Sequence, residues 1–252
     1  MTRIIMHGCN GHMGQVISDI IAQDPDCVMA AGIDIHPDAA VNPYPVFTSL
    51  KECTEEADVV IDFSSASAVD TLLCDCLEKK LPLVLCTTGL SPEQLAKTEE
   101  ASKEIPVLRS ANMSLGVNTI MKLVAAAAEV LANAGYDMEI VEKHHNKKLD
   151  APSGTALALA DAMNAVLNNE YTYKYDRSTE RAKRPVKEIG ISAVRGGNIV
   201  GEHEVFFCGT DEVVEIKHTA YSKAIFGKGA VQAAKFLAGQ KAGYYNMSHV
   251  IG

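Results

Sequence analysis

The chain opens on a short apolar run from Arg3 to His7. Behind Gly11 and Gly14, the apolar positions Val16, Ile17, Ile20 and Ile21 recur at helical spacing. That pattern predicts a strand, a glycine turn and a helix. A second apolar run, Cys27 to Ile33, ends at Asp34, and a third, Asp58 to Phe63, precedes a helical pattern from Ser67 to Lys80 that carries Val69, Leu72, Leu73 and Leu77. Leu81 to Cys86 again reads as a strand. Ser91-Pro92-Glu93-Gln94 supplies an N-cap, a first-turn proline and a capping-box glutamine for another helix, and Ile105 to Leu108 reads as the next strand. Strands alternating with helices over short connections predict a parallel, doubly wound sheet, because parallel neighbours need crossovers.

From Gly116 the pattern changes. An Ala-rich helix is predicted over Val117 to Ala134, stopped by Gly135 at the position that favours left-handed backbone. Asp137 to Ile140 alternates as a strand and a helix is predicted from Thr155 to Asn168. Three β-like runs follow, Ile189 to Val194, Ile199 to Phe207 and Glu212 to His218. This half predicts a second, mixed α+β domain. Tyr171 to Lys187, polar and rich in Lys and Arg, reads as a solvated loop. Gly229 to Leu237 is an amphipathic helix whose periodicity does not say which domain it covers.

Composition narrows the class. The 252 residues are 47% hydrophobic and 22% charged, which excludes disorder, collagen and coiled coil. Thirty-two acids against 23 Lys and Arg give a formal charge of −9, the wrong sign for a nucleic-acid binder. No segment approaches the ~18 to 20 apolar residues of a membrane span, and a cytoplasmic protein is expected. The seven cysteines include no C-x-x-C pair and fit a reducing compartment, and no metal site is expected.

Gly8, Gly11 and Gly14 form a G-x-x-G-x-x-G variant of the dinucleotide fingerprint, set between a strand and a helix. Its chemistry is a tight turn, close approach of backbone N–H groups to a pyrophosphate, and a helix N-terminus that favours the charge. Twenty residues after Gly14, Asp34 stands where a carboxylate accepts from the adenosine ribose hydroxyls. It repels a 2′-phosphate, and His36 is the only nearby cation, so NADH is expected to be preferred with NADPH tolerated. Cys86-Thr87-Thr88-Gly89 and Ser110-Ala111-Asn112-Met113 each follow a predicted strand and are candidate walls for the nicotinamide ribose.

The densest chemistry lies at Glu142 to Ala156, with His144, His145, Lys147 and Lys148 ahead of a helix start at Pro152-Ser153-Gly154-Thr155. At a strand end His144 and His145 point to opposite sides, so they cannot share one role. The helix start offers amide N–H groups and hydroxyls to an anion, and a neighbouring lysine is needed to hold a dicarboxylate well. Adjacent ammoniums lower each other's pKa, which favours proton donation by one of them.

With these residues in view, the chain resembles the 4-hydroxy-tetrahydrodipicolinate reductase family, formerly called dihydrodipicolinate reductase, of the diaminopimelate route to lysine. Glu142 to Ala156 satisfies every fixed position of the hallmark E-x-H-H-x-x-K-x-D-A-P-S-G-T-A. The first-domain glycines, Thr87-Thr88-Gly89, Ser110 to Gly116, Arg195 to His203 and Phe226 to Ala230 are similar to it as well. The resemblance covers nearly the whole chain. It implies a Rossmann-like dinucleotide-binding domain over residues 1–114 with 225–252, and a smaller α+β domain over 115–224 for substrate binding and tetramerisation. A homotetramer acting on a small dicarboxylate is implied.

It also implies roles. His144 is the general acid/base and Lys148 the proton donor, with His145, Ser153, Gly154 and Thr155 holding the substrate carboxylates. Gly8, Cys9, Asn10, Gly11, His12, Met13, Asp34, Thr87, Thr88, Gly89, Ser110, Ala111, Asn112 and Met113 bind NADH or NADPH. The reaction is hydride transfer to an unsaturated cyclic imine dicarboxylate, with water lost from the 4-hydroxy form. The sequence departs from the family at the variable pair Asn146-Lys147, and at Asp34-Ile35, where some members have an acid followed by Arg; the second departure weakens the case for NADPH. A competing reading, an oxidoreductase of the aspartate-semialdehyde type, needs a reactive cysteine that none of the seven supplies. Another, a coenzyme sensor without chemistry, leaves the Glu142 to Ala156 cluster without a purpose.

Overall fold

In the computed structural model, which describes residues 1–252, the chain begins β1 (Thr2–His7), α1 (His12–Ala22), β2 (Cys27–Ile33), β3 (Val46–Phe47), β4 (Val59–Asp62), α2 (Ala66–Lys79), β5 (Leu83–Leu85), α3 (Pro92–Ala101) and β6 (Pro106–Arg109). It continues through α4 (Leu115–Leu131), β7 (Asp137–His144), α5 (Gly154–Val166), β8 (Thr172–Lys174), β9 (Glu188–Arg195), β10 (Gly201–Cys208) and β11 (Val213–Ala220). It ends in α6 (Ala224–Leu237), β12 (Gly243–Tyr245) and α7 (Met247–Val250). Two compact units result, Met1–Leu115 with Ala224–Gly252, and Gly116–Lys223.

The first unit is built on an all-parallel sheet in the order β12-β6-β5-β4-β1-β2-β3. Successive residues of β1 alternate between two buried faces. Ile4 and Met6 join Ile17, Ile21, Val231 and Leu237 on the side of α1 and α6. Ile5 joins Val60, Leu72 and Val107 on the side of α2 and α3. Apolar runs without polar alternation are what a doubly covered parallel sheet requires. The amphipathic helix left unplaced by its periodicity is α6, packed in this unit. β3 and β12 are too short to show a period, and the sequence pattern misses both.

The second unit holds a mixed sheet, β11-β10-β7-β9-β8. Its central strand β7 runs antiparallel to β10 and parallel to β9. One face carries Met138, Ile140, Ile189, Val205 and Phe207 against Val124, Ala128, Ala160 and Met163 of α4 and α5. Gly135 ends the α4 region as expected: it takes φ +86°, its N–H bonds the Ala132 carbonyl at 3.0 Å, and the Tyr136 N–H bonds the Leu131 carbonyl at 3.0 Å. The segment read as a solvated loop is more ordered than that. β8 pairs with β9, Arg184 holds Glu139 and the Met138 and Glu188 carbonyls, and Arg177 holds Glu139 and Glu188. The arginines that suggested solvation act as clamps.

Candidate active site

In the first unit, Gly8 takes φ +81° at the end of β1, and Gly11 is the N-cap of α1 without a side chain to close it. A Cβ on Gly14 would strike the carbonyls of Gly8 and Cys9, so the helix folds down on the turn only because that position is bare. Asp34, just past β2, accepts from the Asn10 N–H at 3.1 Å and the His36 N–H at 3.0 Å. These groups border a cavity of about 300 Å³ lined by His7, Gly8, Gly11, Asp34, Ser64 and Ser65, among others. It lies at the carboxyl ends of β1 and β4, where the strand order reverses and such sheets bind dinucleotides. A pyrophosphate fits the bare turn and open helix end, and a ribose fits Asp34.

The remaining predicted coenzyme residues separate into lining and support. Cys9 is fully buried, with its thiol pushed up to about 11 by burial and by Asp34, and Met113 sits in the core, so each offers only backbone to a ligand. The Asn10 amide donates to the His36 carbonyl and also pairs with Asn42. His12 and Met13 start α1. Thr87 is buried and its hydroxyl accepts the Ser64 N–H at 3.0 Å, while Thr88, Gly89 and Ala111 are exposed and Ser110 is half-buried. Asn112 accepts the Ser114 N–H at 2.8 Å. Sequence reasoning did not single out His7, Phe63, Ser64 or Ser65. A pair of serines directly after the third apolar run was the available signal.

The second unit gathers its polar residues around Glu142, whose side chain is 0% exposed. The β7–β9 register sets His144 opposite Arg195, and β10 sets His203 opposite Glu142. Arg195 donates to both Glu142 oxygens, at 2.7 and 2.8 Å; His144 Nδ1 lies 2.6 Å from the same carboxylate and the Ser153 N–H 2.9 Å from it. Burial pushes the Glu142 carboxyl up, but Arg195, His144 and the Ser153 N–H together hold it below the usual carboxylate range. The Nε2 of His144 lies over Gly201, 3.1 Å from where a Cβ there would stand.

Ser153 caps α5, its hydroxyl accepting the Ala156 N–H at 3.2 Å and lying 3.1 Å from His203 Nε2. Burial, then the neighbouring His144, pushes His203 down to about 4. His145 follows the last residue of β7 and is half-buried, and its Nδ1 is buried without a partner. Lys148 meets the Asp150 carboxylate at 2.9 Å, and Lys147 is exposed. The nearest charge to Lys148 is therefore an anion, not the neighbouring ammonium that the sequence suggested. The structure thus brings His144 and Ser153 onto one carboxylate. Sequence reasoning gave no role to that carboxylate or to its partners Arg195 and His203.

A sequence profile described as "Dihydrodipicolinate reductase, N-terminus" matches residues 2–113, and one described as "Dihydrodipicolinate reductase, C-terminus" matches residues 116–251. The chain is similar to the 4-hydroxy-tetrahydrodipicolinate reductase of Caldanaerobacter subterraneus subsp. tengcongensis, 53% identical over 251 residues that span 100% of this chain and 98% of the relative. It is similar to that of Clostridium novyi, 46% identical over 251 residues with the same coverage. Among solved structures it is similar to a dipicolinate-bound dihydrodipicolinate reductase from Paenisporosarcina sp. TG-14, with a TM-score of 0.82 at 24% identity over 99% of each chain.

Proposed function

The chain belongs to the dihydrodipicolinate reductase family, and on that premise we propose that its two polar sites carry out the NAD(P)H-dependent reduction of 4-hydroxy-tetrahydrodipicolinate to tetrahydrodipicolinate, with loss of water. It is an oxidoreductase of the diaminopimelate route to lysine. The observation that carries the site assignment is the buried Glu142 carboxylate holding His144 by Nδ1. With that nitrogen tied, proton exchange is left to Nε2.

NAD(P)H supplies the hydride when bound; the Gly8 to Gly11 turn and the head of α1 would hold its pyrophosphate, and Asp34 its adenosine ribose. Reduction builds electron density on the substrate ring, and Lys148 is the cation assigned to meet it and deliver a proton, with His144 as acid/base. The substrate carboxylates are assigned to His145, Gly154, Thr155 and Ser153. The buried, unpartnered Nδ1 of His145 supports this, since a ligand oxygen would complete it. Ser153 already uses its N–H and hydroxyl within the protein, so its part is to cap and aim the helix.

NADH is the preferred coenzyme in this reading, because residues 35–50 contain no Lys or Arg to meet a 2′-phosphate beside Asp34. A homotetramer is supported by the second face of the mixed sheet. There a charge ladder of Lys143, Glu204 and Lys217 lies among exposed Val194 and Val213. Seven free cysteines fit a cytoplasmic location, and no helix is long and apolar enough to cross a membrane. The test is a coupled assay on the product of dihydrodipicolinate synthase, with NADH and NADPH in parallel. Oxidation of NADH at the greater kcat/KM is expected, and coenzyme binding without oxidation would overturn the reading.

A further inference from the structure

We propose that His7, oriented by Asp62, is a coenzyme-binding residue that donates from Nε2 to the phosphates of the dinucleotide; this rests on the coenzyme reading of the first-unit cavity. His7 ends β1 immediately before the glycine turn, and its ring lines the cavity. Its Nδ1 lies 2.6 Å from Asp62 Oδ1 at the end of the adjacent strand β4. Asp62 is 0% exposed, the Ser64 hydroxyl also donates to its Oδ1 at 2.6 Å, and its Oδ2 has no partner. One ring nitrogen of His7 is thus tied to a buried carboxylate, which leaves Nε2 for a ligand.

The placement selects the phosphates over the ribose. Along the carboxyl edge the order runs from Asp34 past β2, to His7 on β1, to Asp62 and Ser64 at β4. Asp34 marks the ribose side, and the pyrophosphate of a dinucleotide crosses next to it, at the glycine turn. That turn carries no strong cation, since residues 7–15 hold no Lys or Arg. Among the cavity-lining side chains only His7 can become positive. The other titratable groups here are Asp62 from β4, bonded to the Nδ1 of His7, and Asp34 from beyond β2, which lines the same cavity. Two anionic phosphates entering between Asp34 and Asp62 need a donor of this sign, and Asp62 fixes which nitrogen supplies it.

The experiment compares wild type with H7N, H7Q and D62N, measuring the dissociation constants of NADH, ADP-ribose and adenosine, with thermal melts of each protein. The expected result is a loss of roughly ten- to hundredfold for NADH and ADP-ribose in H7N and H7Q, with adenosine unchanged, as for one hydrogen bond to a charged group. Equal NADH affinity in variants and wild type overturns the proposal, and so does a loss shared by adenosine, which marks a structural role. Should neither His7 variant fold, an NADH affinity in D62N equal to that of wild type overturns it, since Asp62 is the group that orients the ring. Failure of wild type to bind NADH would instead strike the coenzyme reading itself.

Discussion

Arg195 lays its two terminal nitrogens across the carboxylate of Glu142, Nη1 at 2.8 Å from Oε2 and Nη2 at 2.7 Å from Oε1. The pair is buried on the Glu142 side and the same carboxylate holds His144. Removing Arg195 leaves the buried carboxylate with only His144 and the Ser153 N–H, so R195M is expected to cost about 3–5 kcal/mol of stability. It should also lower kcat, because Glu142 then no longer fixes the imidazole. Urea unfolding and steady-state kinetics read both effects. A loss under 1 kcal/mol with full kcat would show that the pair neither stabilises nor positions.

Lys148 reaches out to Asp150 at 2.9 Å, and its assigned role is proton delivery, not coenzyme binding. K148A is therefore expected to lower kcat by a factor of ~10² or more while the NADH dissociation constant stays within about twofold. Fluorescence titration of NADH beside the coupled assay separates the two. Equal losses in both quantities would remove Lys148 from the chemistry.

What the sequence made legible was local. Ser91 and Gln94 bond each other's backbone at 3.2 and 3.1 Å as the capping-box spacing required, and Asp34 lies beside the glycine turn as its offset from Gly14 implied. What it hid was made by strand register. Glu142 and Arg195 are 53 positions apart and meet because β7 and β9 run side by side, and His203 arrives across β10. No periodicity within either segment encodes which strand will be its neighbour. α6 was equally ambiguous, since an amphipathic stripe specifies that a face is covered and not by what.

Asp34 spends its two oxygens on the Asn10 and His36 amides, so it is held in place to accept from a ribose. D34S is expected to weaken NADH by about tenfold, the worth of a hydrogen bond to a charged group, and to leave NADPH unchanged or improved. The ratio of kcat/KM for the two coenzymes is the measurement. If the ratio does not move, Asp34 is bracing the glycine turn and the NADH preference has another source.

His203 predicts how stability depends on acid. Its imidazole is pushed down from 6.5 to about 4, so between those values the unfolded chain binds a proton that the folded one refuses. Stability therefore rises with pH across that window. The contribution is fully present above pH 6.5 and is lost as pH falls toward 4. One pKa unit is worth 1.36 kcal/mol, which makes the loss up to about 3 kcal/mol. H203Q keeps an amide for the Ser153 hydroxyl, which lies 3.1 Å from Nε2, and removes the titration. Carboxylates such as Glu142 titrate in both proteins, so the difference between their urea midpoints isolates His203. The wild-type curve is expected to fall more steeply than that of H203Q from pH 6.5 to 4, and parallel curves would mean that the imidazole takes up its proton within the fold.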